Sequence, residues 1–145
     1  MSIVIKMILF ETGVVGIVFP VYYAGLPHMV RQFVELLNLD PQCYEFGIAT
    51  YGGMPGIAFD QLCECLVKKG LKLAAVWGIA MPGNCQVLYA PASDAVQQER
   101  FRNETEQTME ISRRITAREV SPLRRTNIIS RTNFSLFYSR LKPKE

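Results

Sequence analysis

One feature constrains this chain more than any other: a short apolar block occurs three times, and each time a stretch with helical spacing or a glycine-rich turn follows it. The blocks are "VVGIVFP" (14–20), "CYEFGIAT" (43–50) and "LKLAAVWGIAM" (71–81). They are rich in β-branched residues, too short for stable helices and apolar without alternation, the pattern of strands buried on both faces. Between the first two lies "LPHMVRQFVELLNL", where Leu26, Met29, Val30, Phe33, Val34 and Leu37 fall at helical spacing and Pro27 suits a first turn. Between the second and third lies "GIAFDQLCECLVKKG", where Lys68 and Lys69 favour the helix dipole and Gly70 takes the C-terminal cap. Strand, helix, strand, helix, strand with short crossovers predicts an α/β fold with a parallel sheet covered on both faces.

The rest of the composition fits one such domain. The chain has 145 residues, 49% hydrophobic and 20% charged, which is enough for a real core and ordinary for a soluble protein. The opening "MSIVIKMILF" carries Lys6 in its middle and has no small-residue cleavage site. It reads as a strand rather than a signal peptide or a membrane span. Cys43, Cys63, Cys65 and Cys85 show neither paired C-x-x-C spacing nor the run that ligates an iron–sulfur cluster. They are expected to be free thiols in a cytoplasmic protein.

Ligands of parallel α/β sheets bind beyond the carboxyl ends of the strands, and here each strand ends in a loop of one chemical type. The loops are "PVYYAGLP", "TYGGMPG" and "MPGNCQVLY", each combining glycine and proline with aromatic or hydroxyl side chains. Glycine lets backbone amides approach a ring and tyrosine offers a stacking face, so a flat aromatic ligand is expected. Catalytic pairs are not apparent. His28 is the single histidine and falls at the rim of the first loop, and Cys63 and Cys65, two apart on a helix, point to different faces. The tyrosines also admit a plainer role as core aromatics.

The stretches "FPVYYAGLPHMVRQFVELL", "ATYGGMPG" and "MPGN" resemble, in order, the flavodoxin-like family, particularly the flavodoxin domains that precede a bacterial-type ferredoxin. The resemblance spans roughly residues 13–88. It implies a three-layer α/β/α sheet, FMN as cofactor, electron transfer as activity, and a ferredoxin or an oxidoreductase as redox partner. By position, Pro20, Tyr22, Tyr23, Ala24 and Gly25 correspond to the loop on one side of the flavin ring. Thr50, Tyr51, Gly52, Gly53 and Gly56 correspond to the loop on the other, and Met81 and Asn84 to a third wall.

The departures from that family are equally specific. A flavodoxin opens with a strand and a hydroxyl- and glycine-rich loop that grips the FMN phosphate at a helix N-terminus. Here "MSIVIKMILF" passes through "ETG" directly into "VVGIVFP", and no cysteine-rich ferredoxin segment follows. The expectation is a fold truncated at its N-terminal strand–helix unit, with FMN held weakly or not at all. "SIVIKMILF" has β composition and Gly13 suits a tight turn, which predicts an antiparallel hairpin covering the edge of "VVGIVF". The alternatives are a strand lent by a second chain or an open edge that promotes a homodimer. A second functional reading is a non-redox remnant that acts as a binding or interaction module.

Beyond Tyr89 the character changes. "SDAVQQERFRNETEQTMEISRRITAREV" predicts a half-exposed helix capped by Ser93 or Asp94, with Val96, Met109 and Ile115 as its apolar positions. From Arg113 onward there are nine basic residues against two acidic ones. Residues 1–120 are therefore read as the truncated flavodoxin-like domain and 121–145 as a basic tail. The tail carries no nucleic-acid motif and is expected to be a solvated, partly disordered extension.

Overall fold

Three parallel strands form the centre of the molecule, as the recurrence of apolar blocks requires. The computed structural model describes residues 6–10, 13–81, 93–121, 123, 126 and 128–141. In chain order the elements are β1 (Lys6–Phe10), β2 (Val14–Pro20), α1 (His28–Leu36), β3 (Tyr44–Tyr51), α2 (Ala58–Val67), β4 (Leu73–Ala80), α3 (Asp94–Thr116) and α4 (Ile128–Leu141). The sheet runs β1-β2-β3-β4, with β2, β3 and β4 mutually parallel.

β1 pairs antiparallel with β2 from Lys6↔Val18 to Phe10↔Val14, and Gly13 has a φ of +73 between them. This is the expected hairpin, and it covers the edge of β2. The side chains of β1, Lys6 included, lie outside the described residues.

Alternation along the strands divides the interior in two. Ile17 and Phe19 of β2, Ala49 of β3 and Leu73 of β4 face α1 and α2, where they join Leu26, Val30, Val34, Ala58, Phe59, Leu62, Cys65 and Leu66. Phe19 and Phe59 meet edge to face, with ring centroids 6.2 Å apart. Val14, Tyr44, Phe46, Ala75, Trp77 and Ile79 face the other way, toward α3. Helices on both faces of a parallel sheet leave each central strand apolar on both sides.

Helix α3 differs from the reading of its sequence. Val96 and Met109, taken as its apolar positions, are exposed, and Ile115 is only half-buried; the buried residue is Ile111. Ser93 occupies the cap position but makes no side-chain cap bond. Tyr44 Oη, in β3, donates a 2.5 Å hydrogen bond to the Glu119 carbonyl just past the helix.

The basic tail is not simply a solvated extension. Ser121 adds to the outer edge of β4 as a parallel bridge to Ala75, Leu123 packs on the α1/α2 core, and residues 128–141 form α4. Thr126 Oγ1 donates to Asp60 Oδ2 of α2 at 2.7 Å, and Arg131 pairs with Glu64. Both acceptors lie on α2, so acidic residues of one element hold a segment that composition alone marks as free. Among the described residues, no helix is long and apolar enough to cross a membrane.

Candidate functional site

The three loops begin at one end of the sheet because the three strands are parallel. Pro20 is in register with Thr50, and Val21 N–H donates to the Thr50 carbonyl at 2.8 Å. Met81 N–H donates to the Tyr51 carbonyl at 2.8 Å. The carboxyl ends of β2, β3 and β4 are thus joined by backbone bonds that reach into the loops.

The first loop is a tight two-residue turn. Tyr22 and Gly25 exchange both backbone hydrogen bonds, at 3.2 and 2.9 Å, and the two residues between them are left-handed, Tyr23 at φ 52 and Ala24 at φ 58. That is the type I′ geometry, which ordinarily selects glycine or asparagine. Non-glycine residues held there store strain of about 1–2 kcal/mol each, and such strain persists only where the surroundings impose it.

The surroundings here are the second loop and α2. Ile57 N–H donates to the Ala24 carbonyl at 2.9 Å, and Leu26 N–H donates to Gln61 Oε1 at 2.7 Å. Gly56 has a φ of +56, and a Cβ at that position would come within 2.1 Å of the Ala24 carbonyl oxygen. Only glycine lets the two loops close on each other. Gln61 escaped the sequence reading because glutamine on an amphipathic helix looks like a solvent residue; its one signal is a place one turn into a helix that starts at the loop edge.

Within this frame the candidate residues divide. Tyr23 is 46% exposed, while Tyr22 is half-buried. Gly52, Gly53 and Met54 are exposed, and the amides of Gly52 and Gly53 donate to no group among the described residues. Tyr51 is half-buried with its ring laid on Gly78, where a Cβ would fall 2.7 Å from Tyr51 Cε1. Met81 is half-buried against the core on the α3 side. Asn84 and Cys85 lie outside the described residues.

The opposite flank of the site is set by the direction of β1. In a sheet whose next strand is parallel, that strand delivers its carboxyl end, and a phosphate-binding turn with it, beside the carboxyl end of β2. β1 runs the other way, so its amino end lies toward the loops and its carboxyl end lies beside Val14. Among the described residues, the β1 side of the sheet therefore does not present the parallel strand-to-helix turn that would hold a phosphate.

One buried ionisable group sits apart from this edge. Glu45, near the start of β3 and facing α1 and α2, is 2% exposed, and among the described residues neither carboxyl oxygen has a well-formed hydrogen bond. Burial pushes its pKa up to about 7, with the Lys72 backbone amide acting in the opposite direction. Among the described residues, no group of three or more His, Cys, Asp or Glu side chains could hold a metal ion. Comparison with protein-family models, with curated proteins and with solved structures finds no match to this chain.

Proposed function

We propose that the loop edge formed by Pro20–Gly25, Thr50–Gly53, Gly56 and Met81 takes the ring of a flavin, and that the chain is a flavodoxin-like electron-transfer protein that grips the ring rather than the phosphate. The observation that carries this reading is the strained Tyr23–Ala24 turn, locked onto Gly56 at the carboxyl ends of parallel strands. Strain maintained by specific contacts clusters at ligand sites, and open crevices at these strand ends are where such sheets bind ligands.

Tyr23 offers an exposed aromatic face for stacking, and the amides of Gly52 and Gly53, which donate to no described group, offer hydrogen bonds to ring carbonyls and nitrogens. Thr50 and Met81 stand at the carboxyl ends of β3 and β4, and Gln61 fixes the first loop through Leu26. A bound flavin supplies the electron-transfer chemistry, so no acid or base is needed from the protein. Its exchange partner in this reading is a ferredoxin or an oxidoreductase.

The direction of β1 favours a second reading, a non-redox module that keeps the sheet and binds without a cofactor. Titration with FMN and with riboflavin, followed by flavin fluorescence, separates the two. Ring-only recognition gives equal affinity for both ligands, weakened by about 0.5–1.5 kcal/mol in Tyr23→Ala, a change that touches no core residue. No quenching by either ligand at high protein concentration rejects the flavin reading and leaves the second.

A further inference from the structure

Among the described residues, the outer edge of β4 is covered over only half its length. Ser121 N–H donates to the Ala74 carbonyl at 3.1 Å and its carbonyl accepts from Val76 N–H at 3.3 Å, and no described residue extends the pairing further. Backbone groups in a strand turn alternately to the two sides. Because Ala74 and Val76 turn outward and Met81 turns inward to Tyr51, the N–H and C=O of Gly78 and Ala80 turn outward as well. None of these four groups has a partner among the described residues, and both residues are exposed. The edge carries none of the usual protection by lysine, proline or an inward charge.

Directly beside it, between β4 and α3, is an open groove of ≈ 390 Å³ with mainly apolar walls, lined by Trp77, Gly78, Glu106, Glu110, Ile111 and Arg114 among others. Trp77 is 9% exposed and its indole N–H has no acceptor among the described residues. Arg114 is engaged by Glu110 at 2.9 Å and by Glu119 at 3.6 Å, whereas Glu106 has no cationic partner among the described residues. The groove is thus an apolar recess with Glu106 on its rim as a carboxylate that no described cation compensates.

We propose that Gly78–Ala80 and this groove form a docking site for an extended segment of a partner protein in which apolar and basic residues alternate. The segment adds as a fifth strand, continuing the row that Ser121 begins, and its backbone pairs with Gly78 and Ala80. One apolar side chain enters the recess beside Trp77 and Ile111, and a neighbouring lysine or arginine meets Glu106. Gly78 is fitted to this role twice over: Tyr51 forbids a side chain on one face, and the bare backbone lets another strand approach closely. The inference is independent of any flavin at the loop edge.

Trp77 is the chain's one tryptophan, so its fluorescence reports directly on the recess. The probes are a short peptide alternating valine and lysine and a matched peptide alternating valine and glutamate. The valine–lysine peptide is expected to shift the Trp77 emission saturably, and the valine–glutamate peptide is not. Ala80→Pro removes an outward N–H without touching the β3 ladder and should weaken binding at least tenfold. Glu106→Lys, on an exposed helix face that leaves folding intact, should reverse the preference between the peptides. The proposal is overturned if neither peptide shifts the emission, or if Glu106→Lys leaves the preference unchanged. It is also overturned if Ala80→Pro binds as the parent does, or abolishes self-association of a chain that binds neither peptide, which would make a second copy the occupant.

Discussion

The two faces of the sheet are built from similar strands yet held in different ways. Toward α1 and α2, strand residues meet Leu26, Val30, Val34, Phe59, Leu62 and Leu66, so each strand side chain is buried by several others. Toward α3, most of the buried residues belong to the strands themselves, and the helix contributes Ile111 fully and Ile115 in part. The difference teaches where this molecule is solid and where it opens. Two short helices bind one face as a core, whereas a helix of 23 residues rests on the other through its last turns.

The strongest way to break this contrast is to damage the solid face. Phe19→Ala removes the ring that packs on Phe59 and should cost about 3–5 kcal/mol in denaturant unfolding, with a single transition by all probes.

Glu45 tests the same face by pH. Its native pKa of about 7 lies above the ordinary carboxyl value of 4.5, so the folded chain holds a proton that the unfolded chain releases. The stability Glu45 contributes is therefore full below about pH 4.5 and is lost as pH rises through 7, a fall of about 3 kcal/mol. Unfolding curves across this range should lose that slope in Glu45→Gln, and a variant with the parent's slope would show that another group titrates.

Ile111→Ala addresses the open face and should cost about 2 kcal/mol, the low end for such a truncation. Its signature is local: hydrogen exchange in α3 should accelerate while the amides of β3 keep their protection. Equal acceleration in both elements would mean that the two faces unfold as one.

Ala24→Gly gives the smallest effect and the opposite sign. Relief of a left-handed alanine at φ 58 should stabilise the chain by about 0.5–1 kcal/mol, measured as a raised melting temperature.

What the sequence made legible follows the same division. The strands β2, β3 and β4 and the helices α1 and α2 could be read because apolar spacing reports burial: Leu26, Val30 and Val34 lie in the core as the spacing requires, while Met29, part of the same pattern, is exposed. The hairpin could be read because β composition meets a glycine turn. For α3 the pattern misled, since Val96 and Met109 are apolar but unpartnered, and only the fold decides that Ile111 faces β4. The docked tail was hidden because its anchors, Thr126 on Asp60 and Arg131 on Glu64, join residues far apart in sequence through polar groups that carry no periodicity. At the candidate site, tyrosines and glycines marked the loops. The bond from Ile57 to Ala24 and the left-handed turn it secures are backbone facts that residue types alone do not encode.

The antiparallel course of β1 also bears on how the sheet is assembled. Only residues 11–13 separate Phe10 from its partner Val14, whereas the whole of α1 and its flanking loops must be gathered before Val14 meets Tyr44. Hairpins close within microseconds, and pairings that span long crossovers wait on a larger entropic search. β2 therefore enters that search with one side already occupied. β3 can then join β2 only on its remaining side, so a short local contact, formed early, narrows the strand orders open to the more distant pairings that follow.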